Sequence, residues 1–495
     1  MIYWRARNYS TKTLWQTYGD KNTKKIHHKA SQSRRKNSIE YIQDVLGNKI
    51  SDPKQIQNSF VNYFKDLFTS QNLHKVEETV EVVKNKITKH MLEDLNKPFT
   101  SEEVYCAIKD MRGLVAPEPN GIPTLFFHRY WDVIGHETTQ VALDILNRGD
   151  PTPFNTTHIC LIPKGRNPCA PSDYRPISLC NVTLKIITKT IANRLKPILS
   201  TIISQNQSTL LPGRLISDNS LIAFDIFHYF NQTTSSKGHI GIKTDMAKAY
   251  ERIEWHFLKA TLSSMGFPEH LITTIMKCVT TVSFSILING APSKAFNRKR
   301  GLRQGDPFSP YLFIICVDVL SGLLTQANNN KSIHGVKIAN GAPEITHILF
   351  ADDSLIFWKA TKEEANHVMG ILNQYQEASG QKVNLDKSEF ILSKKMHNDS
   401  KADIKQILQM KHLDSFSKYL GFPTVLGRSK RQVFDYVQDR IWKKLKGWKE
   451  KHLSFPGRSV LIKAVAQAIP TYIMSNFLFP KGFCEYIEKM VCKFW

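Results

Sequence analysis

The chain has 495 residues, long enough for several packed units, and its 41% hydrophobic content is ordinary for a globular protein. Its 67 Lys and Arg against 43 Asp and Glu leave a net charge of +24, which favours a polyanionic partner, nucleic acid or an anionic membrane. No apolar run reaches the roughly 18 to 20 residues of a spanning helix, and the opening MIYWRARNYS has neither a signal-peptide core nor a cleavage site; no membrane partner and an intracellular location are expected.

Residues 1–36 carry ten Lys or Arg against the single Asp20, a phosphate-binding arm or a solvated basic tail. The apolar spacing Ile56, Phe60, Tyr63, Phe64, Leu67 predicts a helix over 55–68. Thr100 and Glu103 form a capping-box pattern that predicts a second helix running towards Met111, and VAPEPNG at 115–121 predicts a turn. Leu161-Ile-Pro-Lys164 and Asp173-Tyr-Arg-Pro-Ile-Ser-Leu179 lie in extended runs, and a hairpin between them would point Lys164 and Arg175 at one triphosphate. Leu184, Ile187, Ile191, Leu195, Ile198 and Ile202 recur at helical steps and mark a long amphipathic helix. Runs at 239–245, 282–288, 346–350 and 354–358 have strand character and are interleaved with helices, which predicts an α+β fold.

Asp245 ends one of these runs, and Asp352 with Asp353 sits between two others as a hairpin tip. Such a tip needs a cation, and its hard oxygen ligands suit Mg²⁺, with Mn²⁺ as an alternative. Alone, an Asp-Asp pair is most often a polar turn. With a third carboxylate nearby, two ions about 3.5 to 4 Å apart would bridge an attacking hydroxyl and a departing pyrophosphate.

Downstream of Asp245, the string Gly301-Leu-Arg-Gln-Gly-Asp-Pro-Phe-Ser-Pro310 precedes an apolar helical run; its two glycines allow close backbone approach to a ligand, and Pro307 can start the helix. Arg303 in it suits either a template phosphate or a structural salt bridge. Ser379-Gly-Gln-Lys-Val-Asn-Leu-Asp-Lys387-Ser388 reads as a glycine turn followed by alternating Val383 and Leu385, and Lys418-Tyr-Leu-Gly-Phe-Pro423 as a compact turn. Between Arg428 and Lys451 nine basic residues interleave with Phe434, Tyr436, Trp442 and Trp448, the pattern of a helix with a basic outer face and an aromatic inner one. The eight cysteines contain no CxxC pair and are read as reduced structural thiols.

These strings, in this order, resemble the polymerase region of LINE-type (non-LTR) retrotransposon reverse transcriptases, most like those of plants; the resemblance runs from about residue 14 to the C-terminus. It implies a right-hand polymerase: a basic helical extension at 1–95, fingers at 96–235, a palm with the metal site at 236–410, a primer-grip turn at 411–425 and a thumb at 426–495, truncated at the C-terminus, with no upstream endonuclease. The implied activity is RNA-directed DNA polymerisation, a nucleotidyl transfer of dNTPs to a DNA primer on an RNA template, which makes an RNA–DNA hybrid. The implied cofactor is two Mg²⁺ ions.

Residue by residue, the resemblance assigns Asp245, Asp352 and Asp353 to the metals, Tyr250 to a steric gate against a 2′-hydroxyl, and Lys164 and Arg175 to nucleotide binding. It also assigns Gln304 and Gly305 to the incoming nucleotide and template, Lys387 to protonating pyrophosphate, and Tyr419, Leu420 and Gly421 to the primer. A nuclear location is implied by the resemblance alone. The chain departs from the family pattern at 115–121, at Glu251 where the family has Asp, and at Thr209-Leu210. A catalytically decayed remnant that only binds nucleic acid is the alternative reading, and an RNA-dependent RNA polymerase a distant third.

Overall fold

The computed structural model describes residues 38–495 apart from 45–46, 72, 114–118, 148, 166, 234–237, 395–397, 417, 425–429 and 450–452. The basic segment 1–36 and most of the VAPEPNG turn lie outside the described residues. In chain order the strands used here are β1 (Thr156–Pro163), β2 (Tyr174–Cys180), β3 (His239–Thr244), β4 (Ser283–Ile288), β5 (His347–Phe350), β6 (Asp353–Lys359), β7 (Glu389–Leu392), β8 (Lys411–Leu413), β9 (Lys418–Tyr419) and β10 (Phe422–Pro423). The helices are α1 (Pro53–Leu67), α2 (Ser101–Asp110), α3 (Val182–Ile202), α4 (Ile216–Gln232), α5 (Ala249–Arg252), α6 (Ser309–Asn329), α7 (Lys430–Lys449) and α8 (Ala468–Met474).

The chain divides into two compact units. The first comprises Met1–Pro212, Met246–Gln326 and Gly370–Val383. Helix α1 begins where the Asp52 carboxylate accepts from the Gln55 N–H with Pro53 in the first turn, and it buries Ile56, Phe60, Phe64 and Leu67. Each such side chain contributes about 1.5 to 3 kcal/mol on burial. They pack with Ile159, Tyr174, Phe284, Ile286 and Phe296. The capping box at Thr100 and Glu103 starts α2 as the pattern predicts, and Arg194 of α3 ties back to Glu103 at 2.6 Å. Strands β1 and β2 form an antiparallel hairpin, and β1 also pairs in parallel with β4.

Helix α6 starts at Ser309, not at Pro307: Leu312 N–H donates to Phe308 O at 3.1 Å, so Pro310 is the first-turn proline. Contrary to the expectation from apolar run length, α6 is long and apolar enough to cross a membrane, with a mean hydropathy of 1.5. Of that apolar window 67% is buried in the fold, the pattern of a core helix.

The second unit comprises Gly213–Asp245, Ala327–Met369 and Asn384–Trp495. Its sheet has the order β8-β7-β3-β6-β5, antiparallel except for β7 with β8. Leu355, Ile356, Phe357 and Trp358 of β6 are all buried, so this strand reads as a continuous apolar run because both its faces are covered. Ala223, Ile226, Phe227 and Phe230 of α4 pack on it with Ile391, Phe416 and Tyr419. Residues 383–385 are not a strand: Val383 makes an isolated bridge to Met246 within the first unit, and the strand begins at Glu389.

A separate cluster joins Phe434, Val437, Ile441 and Leu445 of α7 to Phe477, Phe479, Phe483 and Phe494. Lys443, Lys444 and Lys446 are exposed, as the amphipathic pattern predicts. Trp442 breaks that pattern at 53% exposure, because it shares their face rather than that of Ile441 and Leu445.

Candidate active site

Within the second unit, three carboxylates gather at one end of the sheet. β3 pairs with β6 as far as Ser354 opposite Thr244, so Asp353 and Asp245 are the residues that follow at that end of the ladder. β5 and β6 are joined by a two-residue turn, Ala351-Asp352, in which Ala351 is left-handed at φ 55°. Asp352 is therefore the turn residue and Asp353 the first residue of the strand. The Asp245 segment is pinned: its N–H donates to Ser388 Oγ at 3.1 Å and its carbonyl accepts from Asn384 N–H at 2.8 Å.

Asp352 is exposed at the tip of the turn, yet partial desolvation of its carboxyl, and then the charge on Asp245, raises it above its ordinary value. Asp353 is raised by burial, then by Asp352 and Asp245, with Lys243 opposing. Two acids raised by burial and then by neighbouring carboxylate charge mark a site short of positive charge. Among the described residues, no three His, Cys, Asp or Glu side chains close to a spacing that holds an ion unaided. The donor chemistry nonetheless fits Mg²⁺, a hard cation held by one or two carboxylates with the remaining positions filled by water and substrate phosphate. Lys387 is exposed and immediately precedes Ser388, the residue that pins Asp245.

The nucleotide-binding candidates lie in the first unit. In the β1/β2 hairpin Ile162 is opposite Arg175, and Lys164 N–H extends the ladder to Asp173 O at 2.8 Å. Lys164 and Arg175 are thus diagonal neighbours on one face, and both are exposed. The Lys164 ammonium donates to Ser172 O at 3.0 Å. Tyr250, half-buried, stacks on Phe313 with ring centroids 4.5 Å apart and planes 9° from parallel.

The 249–254 and 300–305 segments are bolted together. Gly301 N–H donates to Ile253 O and Leu302 N–H to Tyr250 O, both at 2.7 Å, while Gln304 Nε2 donates to Glu251 Oε1 at 2.9 Å. Glu251 is buried, and that burial raises its carboxyl, opposed by Lys248 and Lys164 among others.

The two glycines of the 301–305 turn approach protein rather than ligand. A Cβ on Gly301 would lie 2.5 Å from Glu251 O, and one on Gly305 would lie 3.0 Å from Ser178 O. Gly305 itself is exposed. Arg303 does not reach a template in this structure: at 1% exposure it pairs with Asp306 at 2.6 Å and donates to Cys278 O and Asn155 Oδ1. A guanidinium drawn into the core must spend its donors there, so the salt-bridge alternative is the one the geometry supplies.

In the second unit β9 and β10 pair as a hairpin whose turn residues Leu420 and Gly421 have φ of 48° and 82°. Tyr419 is 2% exposed and packed in the core with Phe416, so its ring contacts no strand of nucleic acid; strand alternation leaves Lys418 outside instead. The turn is clamped by Tyr472, whose hydroxyl donates to Leu420 O at 2.6 Å, and by Tyr436, which donates to Gly421 O at 3.2 Å. The Lys418 ammonium lies 3.3 Å over the Tyr436 ring.

Several residues now prominent carried little sequence signal. Ser388 is a polar residue just ahead of a strand, Lys248 a lone cation between Asp245 and Tyr250, and Tyr472 an isolated aromatic; each acquires its contact from residues distant in sequence. All eight cysteines are free thiols, as their spacing suggests.

The sequence profile described as reverse transcriptase (RNA-dependent DNA polymerase) matches residues 162–424, more than half of the chain. The 149 kDa protein of transposon TX1 from Xenopus laevis is 24% identical over 452 residues, covering 90% of this chain and 33% of that protein. A mitochondrial protein of Arabidopsis thaliana is 53% identical over 68 residues, 14% of this chain and 56% of its own length. The retrovirus-related Pol polyprotein of the type-1 retrotransposable element R2 from Popillia japonica is 26% identical over 261 residues, 52% of this chain and 35% of the polyprotein. The chain thus spans between a third and just over half of these three relatives. With a profile that runs from the Lys164 hairpin through the three aspartates to the Gly421 turn, the chain belongs to the reverse transcriptase (RNA-dependent DNA polymerase) family.

Proposed function

We propose that this chain is the polymerase portion of a LINE-type retroelement, akin to those of plants, which adds dNTPs to the 3′-hydroxyl of a DNA primer on an RNA template. The observation that carries the reading is the convergence of Asp245, Asp352 and Asp353 at one end of a single sheet, with the charges of Asp352 and Asp353 held at a cost. These three residues would hold two Mg²⁺ ions, or Mn²⁺ in their place. Bound there, the ions would favour loss of the proton from the attacking hydroxyl and stabilise negative charge on the departing pyrophosphate.

The chain's own groups do the remaining work in this reading. Lys164 and Arg175, exposed on one face of the β1/β2 hairpin, bind the triphosphate and stabilise charge on the leaving group. Tyr250, its ring fixed on Phe313, excludes a ribose 2′-hydroxyl. Gln304, oriented by Glu251, contacts the incoming nucleotide from the turn that includes Gly305. Lys387 donates a proton to pyrophosphate. The backbone of Leu420 and Gly421, held from behind by Tyr472 and Tyr436, seats the primer end. Residues 96–235 would be fingers, 236–410 palm, 411–425 primer grip and 426–495 thumb, with a nuclear site of action expected from kinship.

Purified protein with a primed RNA template, Mg²⁺ and dNTPs should extend the primer, and Asp352→Asn should abolish extension while retaining RNA binding. Well-folded wild-type protein that binds RNA in a salt-sensitive way but never extends would instead identify a nucleic-acid-binding remnant.

A further inference from the structure

We propose that Lys248 is a third cation of the triphosphate site, acting beside Lys164 and Arg175; this rests on the reading that the chain binds dNTPs. The Lys248 ammonium donates to Ser172 O at 3.2 Å and to Tyr174 O at 3.4 Å. The Lys164 ammonium donates to the same Ser172 O at 3.0 Å. Two lysines 84 positions apart in the chain thus bring their charges within hydrogen-bond reach of one carbonyl oxygen. Each ammonium has three donors; these bonds use one from Lys164 and two from Lys248, so a polyphosphate oxygen would take the place of a carbonyl on Lys248.

Of the carboxylates near this pair, Asp173 is engaged by backbone, while Glu251 keeps a buried second oxygen, Oε2, without a hydrogen-bond partner among the described residues and feels the charges of Lys248 and Lys164. Asp173 accepts the N–H groups of Cys169 and Ala170 at 3.0 and 2.9 Å, and one oxygen of Glu251 accepts Gln304 Nε2. Lys164 has no carboxylate within ion-pairing distance among the described residues, and it is exposed. Arg175 adds a guanidinium on the same hairpin face. Two ammoniums on one backbone carbonyl, with a guanidinium on the adjoining hairpin, match a ligand with several anionic oxygens, which is the chemistry of a polyphosphate.

The backbone supports this assignment. Lys248 sits at φ 54° and ψ 55°, a left-handed conformation that costs a residue with a Cβ and that the chain imposes two residues before Tyr250. Ala247 N–H donates to Lys382 O and Glu251 N–H to Lys248 O, both bonds holding the bend that turns the lysine to the hairpin.

The test uses the full chain in two arms. In primer extension, Lys248→Gln should raise KM for dNTP by about 10- to 100-fold, the equivalent of one charge-assisted contact, with KM for primed template unchanged and Lys248→Arg recovering most of the loss. In the second arm wild-type protein, without metal or primer, is acetylated on its amines with and without inorganic tripolyphosphate and read by peptide mass spectrometry. Lys164 and Lys248 should both be protected. Lys248 acetylated at the same rate with tripolyphosphate present would overturn the assignment, even were the glutamine variant unable to fold. So would a folded Lys248→Gln with unchanged KM for dNTP. Wild-type protein that fails to extend but shows the protection would sink the polymerase reading and leave the cation site standing.

Discussion

Replacing Asp353 with Asn should make the protein more stable while abolishing extension. The β3/β6 ladder ends at Ser354 opposite Thr244, which leaves Asp353 and Asp245 as the next residues on the two chains, and side chains opposed at such a step have Cβ atoms about 5 Å apart. At an effective dielectric near 20, two charges at that separation repel by about 3 kcal/mol. Solvent reaches this partly exposed pair and screens it, so a net gain of about 1 to 2 kcal/mol is expected on removing one charge. At about 2 to 4 °C per kcal/mol, the melting temperature should rise by several degrees in EDTA.

The sign of the pH dependence follows from the direction of the shifts. Asp352 and Asp353 titrate above their unfolded values, so their contribution to stability is full below the unfolded pKa and is lost as pH rises through the folded one. The advantage of Asp353→Asn should therefore be complete near neutrality and fade as pH falls through the carboxylate range. Mg²⁺ should narrow it, because the ion stabilises the wild type more than the variant. Calorimetry across that range, with EDTA or Mg²⁺, checks each statement. A variant no more stable than wild type at neutral pH in EDTA, or an advantage that persists unchanged in acid, would refute the account of the site as held under mutual repulsion.

Arg303→Ala should unfold the chain rather than weaken nucleic-acid binding by folded protein: it strands Asp306 in the core, at a cost of about 3 to 5 kcal/mol, measurable by denaturant melts. Gly301→Ala should be among the most damaging small substitutions, since its Cβ would meet Glu251 O at 2.5 Å on a backbone at φ 89°; near-wild-type stability by thermal melt would contradict this. Tyr472→Phe removes one hydrogen bond to Leu420 O, a loss of about 1 kcal/mol, and should weaken primed-template binding by titration while leaving KM for dNTP unchanged. Glu251→Ala frees the Gln304 amide and should raise KM for dNTP in steady-state extension, whereas Glu251→Gln, which keeps an acceptor, should do so less.

Much of the fold was legible in local pattern. The Thr100–Glu103 box started its helix where the pattern put it, and strand character at 239–245 and 354–358 became β3 and β6 within a residue or so. The carboxylate pair also read as a hairpin tip from the apolar strands on either side of it, while its metal role came only from the other motifs in order around it. Residue type, spacing and turn chemistry are local properties, and the chain records them without help from its tertiary fold.

Tertiary structure alone decided where the polar side chains went. Arg303 and Tyr419 look like surface ligand contacts in a motif, yet packing drew both inside, where an ion pair and an aromatic core use them. Nothing local distinguishes Lys164 from any exposed lysine, or links it to Lys248 across 84 positions; the β1/β2 hairpin and a left-handed bend make them neighbours. Ser388 and Tyr472 matter only because long-range pairing delivers Asp245 and Leu420 to them. Periodicity and turn propensity arise from neighbours in sequence and so can be read from it, whereas the charge balance of a site is a sum over segments that only folding brings together.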